Sequence, residues 1–202
     1  TDPQGLSEVD ASTLEASCWP AAILGEGIRT FVVPIKARWA AALFDPTLAE
    51  QILFAVEPKI MLNTENAYYR SSQSVLPTGR SRVLWYVSES DDFDGAGTIR
   101  AWSPVVEVAV GPCRELFRAH RHLGVFGWSD VLNVAKGDPA GEILAFRFGP
   151  TRVFERAVPR RSMFAWLREA GRKEPPLSGP VEIPEVCFER ACEYGLRRAD
   201  SE

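Results

Sequence analysis

Lys36 closes an apolar run, Arg29 to Ile35 (RTFVVPI), and opens a helix-forming one, KARWAAALF. An ammonium group at a strand-to-helix junction is placed to meet a phosphate near the start of the helix. Asn63, Glu65 and Asn66 follow in the polar stretch KIMLNTENAYYRSSQS. Their amides and carboxylate match the donors and acceptors on the Watson–Crick edge of a base. Tyr68, Tyr69 and Trp102 are rings on which an unpaired base can stack. Arg70, Arg82 and Arg100 offer guanidinium groups for phosphates, and Ser88 and Ser103 add hydroxyls. Each also has an ordinary structural use: exposed lysine, turn hydrogen bonding for the Asx residues, core packing for rings in strands, a solvated face for the arginines.

Other chemistries find no support in the spacing. His120 and His122 lie two apart, so one helix face does not carry both, and no third ligand is near. DDFDG resembles the start of a calcium loop but lacks the acid at its twelfth position. No G-x-S-x-G, Walker or Rossmann glycine pattern occurs. Cys113, beside Arg114 and near His120, reads as a core cysteine rather than a nucleophile. Cys187 and Cys192 are spaced C-x4-C, which is not a zinc spacing. The four cysteines are expected to be reduced core or interface residues of a cytoplasmic protein. No metal site and no cofactor is expected.

The elements that must hold these groups centre on Arg82 to Glu107. Val83 to Val87 form a strand, SESDDFDGAG a solvent loop, and Thr98 to Val110 a return strand in which Pro104 marks an edge position, a bulge or a bend. Arg29–Ile35 is the first strand. Residues 36–56 form two helical pieces, the second with Asp45 as N-cap and Pro46 at its first position. CRELFRAHRHLG and GWSDVLNVAKGD are two short helices, the second capped by Ser129. Ile143 to Phe154 supplies one or two strands broken at Gly149-Pro150. RSMFAWLREAG is a helix capped by Ser162, and a last helix starts at Pro184. Residues 1–28 read as an N-terminal extension, 29–171 as the domain, and 172–202 as a linker with a C-terminal helix that adds no strand. Strands without alternating helices argue against a doubly wound sheet. The expectation is α+β: a small mixed or antiparallel β-barrel with peripheral helices.

Hydrophobic content of 46% suffices for a core, and no run of about 18 apolar residues spans a membrane. No signal peptide is visible, and the chain opens without methionine, as expected after processing or for a piece of a longer protein. Net charge is −4, yet Arg29–Arg82 holds seven basic against four acidic residues, and Arg152–Lys173 seven against two. A local basic face on an acidic molecule fits that distribution.

Four pieces of the sequence resemble the ASCH group of the PUA-like superfamily. VVPIKARWAAALF resembles its opening strand and helix, with Ala37 in place of a proline. NAYYRS sits where the group has a short polar and basic strand. RVLWYVS resembles the strand that follows. GTIRAWSPVVEVAVGPCRELF with GWSDVLNVAKGDPAGEILAFRFGPTRVFERAVP resembles the remainder. The resemblance runs from about Arg29 to Arg161. It implies a small barrel whose cleft accepts RNA or a single base. It also implies an enzyme in some members: one kind hydrolyses the amide of an acetylated cytidine with a Lys, Thr and Glu set, and another cuts RNA. Their G-x-K-x-x-x-x-R-like run corresponds here to FAVEPKIMLNTENAYYR, where Lys59, Thr64 and Glu65 have the right types at the wrong spacing and the glycine is absent. Such modules also occur behind acetyltransferase- or toxin-like domains.

Three functions follow as expectations. The first is an RNA, single-stranded nucleic acid or nucleotide binding module using Lys36, Asn63, Glu65, Asn66, Tyr69, Arg70, Arg100, Trp102 and Ser103. The alternative is a hydrolase of RNA or a modified nucleoside acting through Lys36, Lys59, Thr64 or Glu65. The third is a regulatory or interaction domain fused to or associated with an enzyme. The expected partners exclude a membrane.

Overall fold

A computed structural model describes residues 14–15, 17–22, 28–52, 64–74, 76 and 81–196. Seven strands form one mixed sheet. The β-branched and aromatic run Thr30–Ile35 is β1, fully buried and parallel to β3 (Ser81–Val87) from Thr30↔Arg82 to Ile35↔Val87. The acidic loop after β3 returns through Gly95 and Gly97, both with positive φ, into β4 (Thr98–Pro112). That loop is exposed because four of its residues are acids with no core face to join.

β4 is long enough to take two partners in series along one edge. Val105–Pro112 pairs with β5 (Glu142–Phe148) and Thr98–Trp102 with β6 (Arg152–Pro159). The break between β5 and β6 lies opposite Pro104. The Gly149 amide donates to the Pro104 carbonyl at 2.8 Å, and a Cβ on Gly149 would stand 3.0 Å from Pro104 Cγ. A proline with no N–H to offer is tolerated because the neighbouring strand is interrupted there. β2 (Asn66–Ser71) pairs with β5, and β7 (Val181–Ile183) with the start of β1. The order is therefore β2-β5-β4-β3-β1-β7. β7 corrects the expectation that residues 172–202 contribute no strand: Val181 and Ile183 alternate with exposed Glu182, so three residues of the expected linker carry a strand pattern.

The sheet curls as a barrel would but does not close. Among the described residues no backbone pairing joins β2 to β1. Side chains bridge the gap instead. The Tyr68 hydroxyl and an Arg70 guanidinium nitrogen donate to the Pro34 carbonyl at 3.4 and 2.8 Å.

Three apolar layers follow from strand alternation. The concave face holds Phe31, Val33, Trp85, Phe146 and Phe148, closed by α1 (Ala37–Leu43) and α2 (Pro46–Ala49). Asp45 caps α2 as expected, its carboxylate accepting from the Leu48 amide at 3.1 Å. On the convex face of β2 and β5 lie α3 (Cys113–His120), a 3-10 turn (Arg121–Leu123) and α4 (Trp128–Val134). The α4 cap is Gly127, not Ser129: the Asp130 carboxylate accepts from the Gly127 amide at 3.0 Å. On the convex face of β1, β3 and β6, α5 (Arg160–Glu169) and α6 (Glu185–Leu196) cover Leu84, Trp102 and Phe154. Pro159, not Ser162, is the α5 cap, while Gly171 ends that helix with φ +71°. Cys113, Cys187 and Cys192 are buried, Cys18 is exposed, and all four are free thiols. Among the described residues no helix is long and apolar enough to cross a membrane.

Candidate nucleic-acid interface

The gap between β1 and β2 opens into a cavity of about 280 Å³. Three elements supply its walls. Lys36, Arg38 and Trp39 reach it from the β1–α1 junction, Tyr68 and Tyr69 from the free edge of β2, and Asp130 and Asn133 from α4. Phe126, in the loop before α4, ties the walls together. Its ring lies 4.6 Å from Trp39, 5.4 Å from Tyr68 and 5.7 Å from Tyr69. That loop can approach because residue 124 is glycine: a Cβ there would stand 3.2 Å from the Ala67 carbonyl.

The polar groups of this cavity are few. Lys36 and Arg38 are exposed at the rim, and the Arg38 guanidinium lies 4.4 Å from the Trp39 ring centre. Asn133 is exposed and Asp130 half-buried. Tyr69 is buried and its hydroxyl has no hydrogen-bond partner. Burial, helped by Cys113, pushes the Tyr69 hydroxyl up to about 12, so it is a neutral donor near pH 7. Burial also raises Tyr68, opposed by Arg70. A second cavity of about 440 Å³ shares Lys36 and Arg38 and is lined beyond them by Ser88, Ser90 and Asp92. The two cations therefore stand on a ridge between two hollows.

Of the nine residues proposed from sequence, the structure brings Lys36 and Tyr69 into this cavity. Asn63 and Lys59 lie outside the described residues. Glu65 lines a different cavity, with Thr64, Ser81 and Pro104, and has Arg147 at 3.8 Å. Asn66 is buried in β2 opposite Phe148.

The remaining four have structural roles. Trp102 has no exposed face; it packs between Trp19 and Phe188, at 5.0 and 5.6 Å, so a base cannot reach it. Ser103 is buried, accepting from Trp85 Nε1 at 2.8 Å and sharing a 2.7 Å hydrogen bond with Thr151. Arg100 pairs with the buried Asp45 carboxylate through Nε and Nη2. Arg70 directs its two terminal nitrogens to the carbonyls of Pro34 and Ser178, at 2.8 and 3.0 Å. Arg82, another arginine read as a phosphate ligand, is fully buried between Glu15 and Glu185, with contacts of 2.5 and 2.7 Å. Burial works against its charge, and the two carboxylates more than offset it.

Sequence reasoning did not single out Arg38, Trp39, Phe126, Asp130 and Asn133, which line this cavity. Arg38 and Trp39 had a legible signal, lying two and three residues after Lys36 on the same helical turn. Phe126, Asp130 and Asn133 had none, because only the packing of α4 over β2 brings them there. Among the described residues no cluster of His, Cys, Asp and Glu could hold a metal ion.

No family model and no curated protein matches the sequence. Solved structures do. The ASCH protein of Zymomonas mobilis superposes with a TM-score of 0.56 at 9% identity, covering 81% of this chain and 94% of its own. Two single-residue variants of that protein give TM-scores of 0.57 at 8% and 9% identity, each over 81% of this chain and over 94% and 96% of theirs. The mixed sheet and the helices packed on it thus share the fold of these ASCH structures.

Proposed function

We propose that this domain binds single-stranded nucleic acid, RNA foremost, by taking one unpaired base into the cavity between α1, β2 and α4. The observation that carries this reading is the company Lys36 and Arg38 keep: two exposed cations at the rim of a hollow walled by Trp39, Phe126 and Tyr69. Aromatic walls take the π-face of any base, and the cations take the phosphates on either side of it. Asn133 supplies donors and acceptors for the base edge, and the orphaned Tyr69 hydroxyl is a buried polar group that a bound base would satisfy. The cavity is just below the roughly 300 Å³ at which small-molecule sites begin, a size for one base rather than a large cofactor. The ASCH likeness supplies the same expectation for the cleft.

Among the described residues, which do not include Lys59, the hydrolase reading gathers no catalytic set. Thr64 and Glu65 line one cavity and Lys36 another.

Binding of a labelled 12-nucleotide RNA, the matching DNA and single nucleotides, followed by fluorescence polarisation and calorimetry between 50 and 200 mM salt, tests the proposal. Lys36→Ala and Arg38→Ala should each flatten the salt slope by about 0.7, one phosphate's worth. Salt-independent binding, or none, would leave the interaction-domain reading in its place.

A further inference from the structure

We infer that the exposed face of α3 and its 3-10 turn, Arg114, Arg118 and Arg121, is a second nucleic-acid contact that tracks the phosphates of the strand leaving the base cavity. It rests on the reading of that cavity proposed above. The three arginines are spaced i, i+4, i+7, one stripe along a helix. All three are exposed, while Cys113, Leu116 and Phe117 of the same helix face the sheet. No carboxylate lies within ion-pair distance of any of them among the described residues, whereas Arg29, Arg82, Arg100, Arg147, Arg160, Arg168 and Arg190 each have one. Cys113–Leu123 carries three arginines and two histidines against one glutamate, on a chain whose net charge is −4. Seven of the sixteen described arginines have a carboxylate partner, and three without one stand in a row on this face, which places a local positive potential there.

The stripe ends close to the cavity along the chain. Arg121 precedes Phe126, the residue that joins the cavity walls, by five positions. An extended chain of that length spans at most about 17 Å, so the stripe starts within a few nucleotides of the bound base. By helical rise the three residue positions are about 6 and 4.5 Å apart along the axis, a row rather than a point, which suits a repeating anion better than a single one.

The test compares two triple variants of the full chain. Arg114→Glu/Arg118→Glu/Arg121→Glu reverses the stripe. Arg161→Glu/Arg172→Glu/Lys173→Glu reverses three exposed cations at and beyond α5, on the other outer layer, and changes net charge equally. Both sets of positions are solvent-facing, and circular dichroism confirms folding. The 12-nucleotide RNA should bind the stripe variant with a salt slope flatter by about 2, from three contacts at about 0.7 each. The ratio of wild-type to variant affinity should then shrink about 18-fold from 50 to 200 mM salt. Single nucleotides should bind both variants like wild type.

Equal losses in the two variants, or an unchanged stripe variant, would overturn the inference and leave the cavity reading standing. Loss of 12-mer binding in the stripe variant, with no nucleotide binding by the wild type, would keep the stripe and remove the cavity. Displacement of the RNA by polyglutamate as readily as by unlabelled RNA would assign the stripe to an acidic peptide and overturn it as a nucleic-acid track.

Discussion

Removing Arg100 should cost the domain stability, not phosphate contacts. Asp45 is fully buried, and its carboxylate has three donors: the Leu48 amide and two nitrogens of Arg100, a side chain that is itself 11% exposed. Arg100→Ala leaves a buried charge with one hydrogen bond. Breaking one side of such a pair costs about 3–5 kcal/mol. For a chain of this length that is a fall in Tm of about 6–20 °C. Asp45→Asn alone should cost less, about 1–3 kcal/mol, because the amide oxygen still caps α2 and the arginine retains a path to water. The double variant should then be more stable than Arg100→Ala by about 1–3 kcal/mol, since no unpaired charge remains inside. Urea unfolding followed by tryptophan fluorescence and far-UV circular dichroism measures all four corners of the cycle. A Tm for Arg100→Ala within 2 °C of wild type (about 0.5–1 kcal/mol), or a double variant weaker than the single, would refute the reasoning. A stable Arg100→Ala protein with a salt slope flatter by about 0.7 would return Arg100 to the nucleic acid.

Trp39→Ala should weaken RNA binding about 5- to 150-fold at every salt concentration, from roughly 1–3 kcal/mol of lost stacking, with little change in Tm. Trp102→Ala should do the reverse, destabilising by about 3–5 kcal/mol through a core cavity and sparing affinity in whatever fraction stays folded. Arg70→Ala should weaken binding without altering the salt slope, because it loosens the β2 wall and removes no phosphate contact; a slope change in polarisation titrations would contradict this. Alkaline stability checks the buried tyrosine and thiol. Burial holds both Tyr69 and Cys192 at about 12 in the folded state, above their ordinary 10.0 and 9.0. Their contribution is fully present below about pH 9 and is lost as pH rises to 12, so the urea midpoint should fall across that window. A flat profile from pH 8 to 11 would place both groups in solvent.

The fold was legible where one residue pattern had one solution. Val83–Val87, the acidic loop and the return strand from Thr98 announce a hairpin, and Asp45-Pro46 announces the second helical piece. β7 was not legible, because a three-residue strand needs only an alternation that any linker can show by chance. Of the residues proposed from sequence, Lys36 and Tyr69 fall in the candidate cavity, whereas Arg70, Arg82 and Arg100 are engaged by protein partners. An arginine in a strand has the same local sequence whether it meets a phosphate or a carboxylate. The partners that decide, Asp45 for Arg100, Glu15 and Glu185 for Arg82, and the Pro34 carbonyl for Arg70, lie between 36 and 103 residues away in the sequence. Trp102 was misread for a related reason. Its side of β4 faces solvent in an isolated hairpin and is covered only once α6 and Trp19 pack over it.

The unclosed seam and the candidate site are one feature. β7 pairs only with Thr30–Val32, so Val33–Ile35 form an open edge, and Pro34 there can donate nothing to an added strand. The Pro34 carbonyl is the remaining polar group, and Tyr68 and Arg70 occupy it. The seam is thus fixed in width by two side chains rather than zipped by a ladder. Zipping it would draw the free edge of β2 against β1 and remove the hollow between them. Holding it apart leaves Trp39 of the concave layer facing Phe126 of the convex layer, ring to ring. A base that enters there touches both layers at once. Its binding therefore depends on how α4 sits on β2 as much as on any residue it contacts, which ties the affinity of the site to the packing of Cys113, Val131 and Ala135 beneath it.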